Sequence, residues 1–362
     1  MTTNRRLLAE WELTDAVLLV YPHEGTDWFS GSAPGEAGRR QARVNLVGAQ
    51  ITVVQLANAI LNHQDVLLLT PDGKMPKQLE VSLPRHRYRL RCVSVPTDDT
   101  WARDFGPISV EAHGQRRFLD FRFNGWGGKF DSSLDNQINQ RLVDRGYLPA
   151  DRTERHDDFV LEGGSIDTDG RGTLLTTTEC LRSPTRNPQF PKRRDLEREL
   201  RTRLGVERVL WLDYGYLDGD DTDSHIDILA RFADPETILY SMVDPVSGPN
   251  TKLRQKQREK FEKMEAQLRT FRTPEGKPYR LVPLPVVDET AYVEGRDEPI
   301  QGSYANFLLV RGAVLMPTYS DPKDVEARRI FERVFPDREV RGVSCTTLLR
   351  QHGSLHCMTM GL

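Results

Sequence analysis

The order of the secondary-structure signals constrains this chain more than any single motif. Stretches of helical apolar periodicity begin near positions 43, 132, 191, 252 and 324, and each sits among hairpin signals and short apolar runs. The first helix spans Gln41–Gln64, with Val44, Val47, Ile51, Val54, Leu56, Ala59 and Leu61 as its apolar positions. Ser132–Arg145 is the second, with Ser132 or Ser133 as N-cap and Gly146 as C-cap. Lys192–Arg203 (closed by Gly205), Leu253–Phe271 and Asp324–Phe335 follow. Hairpins are expected from Ile108–Ala112 with Arg117–Phe123, Ser165–Asp167 with Gly172–Thr178, His225–Phe232 with Thr237–Met242, and Asn306–Val310 with Ala313–Pro317. Ala16–Tyr21, Asp65–Thr70, Arg155–Leu161, Val206–Leu212, Tyr279–Val286 and Asp337–Val340 read as further strands, and Thr26–Gly38 as a loop. The chain is therefore α/β, with five rounds of hairpin, helix and strand. Such an order fits a ring of similar modules, and it equally fits an irregular α/β chain, because no residue-level repeat accompanies it.

The totals narrow the function classes. A length of 362 residues suits about two domains or one long α/β domain. A net charge of −3, with no long Lys/Arg stripe, argues against nucleic acid as the main partner. No apolar run reaches the roughly 18–20 residues that span a bilayer, so no membrane partner is expected. Met1–Glu12 has no signal-peptide core, and a cytoplasmic protein is expected. Cys92, Cys180, Cys345 and Cys357 lack C-x-x-C spacing, which speaks against zinc and a disulfide framework. Three of them are expected to be buried small hydrophobes.

One stretch concentrates charge beside aromatic surface. Thr97–Pro107, TDDTWARDFGP, places Asp98, Asp99 and Asp104 around Trp101 and Arg103. An ordinary acidic loop would be solvated. Here Val93–Pro96 leads in as a strand end, and Gly106-Pro107 turns the chain into an apolar run. A carboxylate against an aromatic plane suits a flat organic cation. Asn124–Gly128, NGWGG, offers a second Trp expected at the surface, Trp126.

Each round also contributes an unusual polar residue near a strand end: Asp104, Glu162, His225 with Asp227, Asn306, and Cys357. If the modules form a ring, these groups converge at its axis. His225 and Asp227 lie two apart at an expected strand start, hence on one face. His356 would point away from Cys357, which leaves His225 as the better partner. A thiolate is the nucleophilic form of cysteine, and a neighbouring cation favours it. Carboxylates grip a guanidinium through charge-assisted pairs, and a His serves as acid and base. Taken singly, a lone His is more often structural. A divalent-metal site at His225, Asp227 and Asp223 is the rival reading, although no other His has ligand spacing. Gly125–Lys129 lacks the signature of a phosphate loop, and Asp218–Asp223 lacks the glycine of an EF-hand.

The motifs TWARDFGP, FNGWGG, LEGGSIDTDG, DDTDSHID and HGSLHCMT resemble those of the agmatine deiminase / bacterial-type peptidylarginine deiminase family, across nearly the whole chain. The resemblance implies a single catalytic domain over 1–362, folded as a five-module α/β propeller (a pentein) with pseudo-fivefold symmetry, and no cofactor or metal. It implies Cys357 as nucleophile on the guanidinium carbon, Asp104 and Asp227 as clamps on its nitrogens, and His225 as acid for ammonia and then base for water. Glu162 would support the site through His225, Trp101 and Trp126 would wall the pocket, and Asn306 would lie near it. Where these relatives carry a Glu four residues before the His, this chain has Asp221, one methylene shorter, as the group for a distal amine. FRFNGWGG matches the agmatine-like form instead of the arginine pair of the secreted enzymes. The implied reaction is hydrolysis of agmatine to N-carbamoylputrescine and ammonia through a covalent thiouronium. Alternatives are a peptidylarginine or free-arginine deiminase giving citrulline, and a relative that binds guanidinium without turnover. The implied partner is a small cationic guanidine, and the resemblance allows a homodimer.

Overall fold

A computed structural model of the chain describes residues 5–30, 35–82, 86–217, 220–243, 252–287, 291–292, 299–300 and 302–362. The expected acidic loop Asp218–Asp223 thus begins outside the described residues, as do positions 31–34 of the expected loop Thr26–Gly38. That loop is in part helical: Asp27–Ser30 forms one turn, and the first long helix already starts at Glu36.

Ala16–Val20 and Asp65–Thr70 are near-continuous apolar runs, as strands covered on both faces must be. They pair in parallel, Val17 opposite Val66 through Val20 opposite Leu69, and Leu90–Ser94 extends the sheet. Helix Glu36–Ile60 crosses between the first two strands. It buries Ala42, Leu46, Ala49, Val53, Leu56, Ala57 and Ile60. Each large aliphatic group covered in this way contributes about 1.5–3 kcal/mol. Val44, Val47 and Ile51, expected on the buried face, are instead about half exposed. The helix carries two apolar stripes, and only the one that runs its full length meets the sheet.

Four other sheets repeat one pattern: an antiparallel hairpin whose second strand takes a third strand in parallel. They are built from Ile108–Ala112, Gln115–Arg122 and Thr153–Val160; Ile166–Thr168, Thr173–Thr177 and Arg208–Leu212; Ala230–Asp234, Thr237–Met242 and Arg280–Pro285; and Leu308–Val310, Ala313–Thr318 and Glu339–Ser344. The first sheet completes the series, since Met360–Gly361 pairs antiparallel with Ala16–Val20. His113 and Gly114 both have positive φ, 54° and 71°, as a two-residue hairpin turn requires. Helices Arg193–Leu204, Lys252–Leu268 and Lys323–Val334 return each chain segment to its sheet, the first through Leu196, Leu200 and Leu204. Ser132–Arg145 is less regular than expected: a 3-10 turn at Asp135–Gln137 precedes a short α-helix, Ile138–Asp144. No helix among the described residues is long and apolar enough to cross a membrane.

This pattern positions the polar residues. Asp104 lies in the helical turn Ala102–Phe105, just before strand Ile108–Ala112. Glu162 and Gly163–Ser165 precede Ile166–Thr168, and Ile226–Ile228 precedes Ala230–Asp234. Asn306 precedes Leu308–Val310, and His356–Met358 precedes Met360–Gly361. All five run-ins to a hairpin's first strand therefore carry chemistry.

Candidate active site

The run-in segments pack on one another, and their side chains meet at the floor of a cavity of about 740 Å³. Asp104, His225, Asp227 and Cys357 line it, with Trp101 and Trp126 as walls and Asp221 further out. Glu162 and Asn306 stand one layer behind. Trp126 is buried, not exposed as expected, because its indole edge packs on Phe123 and its Nε1 donates to Asp104 Oδ2 at 2.9 Å.

Cys357 is held by Asn306. The Asn306 carboxamide oxygen accepts from the backbone N–H of His356 (2.7 Å) and of Cys357 (3.3 Å), while its Nδ2 donates to Cys357 Sγ at 3.3 Å. Asp227 Oδ2 lies 3.9 Å from the same sulfur. Burial, then the charges of Asp227 and Asp104, push the thiol well above its ordinary value. An incoming cation would cancel those charges and favour the thiolate.

His225 and Asp227 do not start a strand. They occupy a 3-10 turn, reached through two left-handed residues, Asp223 and Ser224. Such a conformation persists where surrounding bonds over-determine it. Ser224 N–H donates to Asp220 Oδ2 at 2.6 Å, its hydroxyl donates to Glu179 at 2.9 Å, and Asp223 pairs with Lys129 and Arg186. The His225 ring is thereby fixed between Glu162, 3.0 Å from Nε2, and Asp104, 3.6 Å from Nδ1. Burial opposes a charged ring, but these carboxylates override it and hold His225 well above the usual histidine range. Glu162 is kept anionic despite burial by His225 and by Arg186, whose Nε is 3.2 Å from both its oxygens. Asp104 is raised to about 6 by burial and by the neighbouring anions Asp227 and Glu162, with His225 opposing.

Close packing explains the Gly-Gly of LEGGS. A Cβ on Gly164 would stand 2.6 Å from His225 Nδ1 and 2.8 Å from Asp104 Oδ1. Its backbone N–H donates to that same Asp104 oxygen at 3.0 Å.

Sequence reasoning missed the layer beneath. His356 Nδ1 lies 2.7 Å from Asp227 Oδ2, and its Nε2 lies 2.7 Å from Glu10 Oε1. Glu10 also receives Arg103 and Arg231, each at 2.9 Å. The only sequence signal was His356 beside Cys357, and extended-strand geometry set it aside. In the 3-10 turn His356–Met358 the two side chains reach different layers of one site instead. Cys180 is buried, as expected of a small hydrophobe, and its sulfur also lies 3.5 Å from Glu162.

The rival metal set is not gathered, because Asp223 is engaged by Lys129 and Arg186. Among the described residues, Glu162, Cys180 and His225 lie close enough to share an ion. Both Glu162 oxygens already accept from Arg186, so that set fits an ion poorly. The arrangement suits a planar cation better. Asp227 Oδ1 is buried with no hydrogen-bond partner among the described residues, an acceptor that costs free energy until a donor meets it.

The chain is similar to known proteins over nearly its whole length. The agmatine deiminase of Pseudomonas aeruginosa strain LESB58 is 34% identical over 380 residues, covering 98% of this chain and 94% of its own. The crystal structure of a C. jejuni agmatine deiminase variant with substrate bound superposes with a TM-score of 0.80 at 29% identity, covering 98% of this chain and 95% of that one. A dimethylarginine dimethylaminohydrolase from Pseudomonas aeruginosa shares the fold at 14% identity, TM-score 0.51, with 96% and 99% covered. The profile of the Porphyromonas-type peptidyl-arginine deiminase family matches residues 6–362, and the chain belongs to that family.

Proposed function

We propose that this chain is a cysteine-dependent deiminase that hydrolyses agmatine to N-carbamoylputrescine and ammonia. The observation that carries the reading is a cavity lined by Cys357, His225, Asp104 and Asp227, the last with a buried carboxylate oxygen, Oδ1, that meets no donor among the described residues. A guanidinium seated there gives N–H groups to Asp227 and Asp104 and lies flat between Trp101 and Trp126. Its charge lowers the thiol's proton affinity, and the proton leaves to solvent. Cys357 Sγ then bonds to the guanidinium carbon. His225, held protonated, gives its proton to the departing nitrogen, the C–N bond breaks and ammonia leaves, forming the thiouronium. Neutral His225 takes a proton from water as the hydroxyl adds to the same carbon. The C–S bond breaks and the hydroxyl proton passes to the departing thiolate, which restores the thiol and leaves a neutral ureido product. Glu162 fixes the ring and Asn306 the sulfur, so that the reacting groups are oriented in advance.

Asp221 takes the distal ammonium. Asp221→Ala is expected to raise KM for agmatine at least tenfold with a smaller change in kcat. The five repeated sheets are read as blades of one closed propeller acting as a single catalytic domain in the cytoplasm, either alone or as a homodimer. A second reading, turnover of peptidyl or free arginine to citrulline, has Arg350 in its favour, a cation on the cavity lining that would suit a carboxylate. The test is ammonia release from agmatine, arginine and a C-terminal arginyl peptide. Agmatine should lead, and Cys357→Ala should abolish release. Normal turnover by Cys357→Ala would overturn the mechanism, and a preference for the peptide would overturn the substrate.

A further inference from the structure

His356 touches no part of the cavity, yet both of its ring nitrogens are committed to carboxylates at 2.7 Å. A carboxylate can only accept unless it is protonated, so two such bonds require two N–H groups on one ring. A charge count points the same way. Glu10, Asp167 and Asp227 bring three anions to this layer, and Arg103 and Arg231 bring two cations. The ring touches both Glu10 and Asp227 and supplies a third, beside His225, which faces Asp227, and Arg338, which senses the charge of Glu10.

Building on the function proposed above, we infer that His356 is a positioning residue, a fixed imidazolium wedged between Glu10 and Asp227. It fixes the Asp227 carboxylate through Oδ2 and leaves Oδ1 as the unpartnered acceptor, and it keeps Asp227 anionic when the cavity is empty. Glu10, at the far end, is itself anchored by Arg103 from the turn before Ile108–Ala112 and by Arg231 from Ala230–Asp234. The clamp therefore draws its alignment from three modules at once. The other titratable groups around Asp227 are His225, Asp104 and Cys357, and Asp167 faces the His356 ring from Ile166–Thr168. With the imidazolium removed, burial and the Asp104 charge are left to raise the proton affinity of Asp227.

Two measurements test this. In the wild-type protein without substrate, 15N spectra of the His356 ring, assigned through its backbone neighbours, should show both nitrogens protonated at about pH 7. A neutral ring with one bare nitrogen overturns the inference, whatever the enzyme turns over. In H356Q, kcat/KM for agmatine should fall about 100-fold, and the acid limb that Asp104 sets near 6 should steepen as Asp227 adds a second protonation to it. Filler would instead lower the thermal midpoint and leave the steepness of that limb unchanged, and this outcome also overturns it. Wild-type protein inactive on every guanidine would sink the proposed function and leave the spectrum to decide the state of the ring. If H356Q does not fold, the wild-type spectrum still decides.

Discussion

Two demands compete at Asp104. In the proposed clamp it must be anionic to grip a cation, yet burial beside Asp227 and Glu162 raises it to about 6. kcat/KM, which reports the free enzyme, is therefore expected to fall as pH drops through about 6, because the protonated carboxyl cannot clamp guanidinium. Bound substrate favours the anion, so the limb in kcat should lie at lower pH. Asp104→Asn should lose roughly 100- to 1000-fold in kcat/KM and erase the limb near 6. A pH–rate series on both proteins checks this. Gly164 is as constrained as any charged neighbour. Gly164→Ala forces a methyl against His225 and Asp104, and should cost about 1–3 kcal/mol of stability and at least about 100-fold in activity. Denaturant titration and steady-state kinetics measure the two losses. At this scale Asp104, Glu162, His225, Asp227, Asn306 and Cys357 were legible as candidates, because each is an unusual polar residue at the same place in the repeated order of elements. Glu10, Arg103, Arg231 and His356 were not, because the partners of a buried charge lie far away in sequence: Glu10 and His356 come from opposite ends of the chain.

Among the elements, the stretch 97–107 proves to be braced rather than solvated. Asp135 accepts the backbone N–H groups of Asp98 and Asp99 at 2.9 and 3.0 Å, and Leu134 N–H returns to Asp98 at 2.7 Å. That brace holds Trp101 and the Asp104 turn in place, and it buries Asp99 beside Asp135 and near Asp27. Burial and Asp27 raise Asp99 to about 8, and burial and Asp99 hold Asp135 well above its ordinary value. The sign follows from linkage. Both carboxyls bind protons more tightly folded than unfolded, so their stabilisation is complete below the unfolded value near 4 and is lost as pH rises through the folded value, about 8 for Asp99. The thermal midpoint should thus decline between pH 5 and pH 8, and Asp99→Asn should flatten the decline by roughly 2–4 °C. A midpoint slope identical in wild type and variant would show that Asp99 is ionised throughout. Sequence pattern gave the strand before this stretch and the hairpin after it. It could not give the brace, since Asp135 sits in a 3-10 turn that helical periodicity does not mark.

Across the whole molecule, the last residues of the chain join the first sheet. Met360 pairs with Leu18, Gly361 with Val17, and Leu362 N–H donates to Ala16 at 2.8 Å. A two-residue strand is too short to show period-2 alternation, so the sequence read only a terminal segment there; the helix–hairpin order was readable because its elements are long. The consequence is mechanical. Cys357 is three residues from this pairing, and Met360 also packs against the positions of Gly106 and Gly163, beside Asp104 and Glu162. Cys357, the proposed nucleophile, therefore sits in register with its partners only while Met360–Gly361 pairs with Ala16–Val20. Met360→Pro removes a backbone donor from that strand and a large apolar side chain from beneath the site. It should cost about 2–5 kcal/mol, mostly through the lost buried side chain. Activity should fall with it, because Cys357 loses its anchor even in molecules that stay folded. Thermal unfolding followed by circular dichroism, with turnover assayed below the transition, separates the two effects. Full activity per folded molecule in Met360→Pro would mean that Asn306 alone holds the sulfur in place.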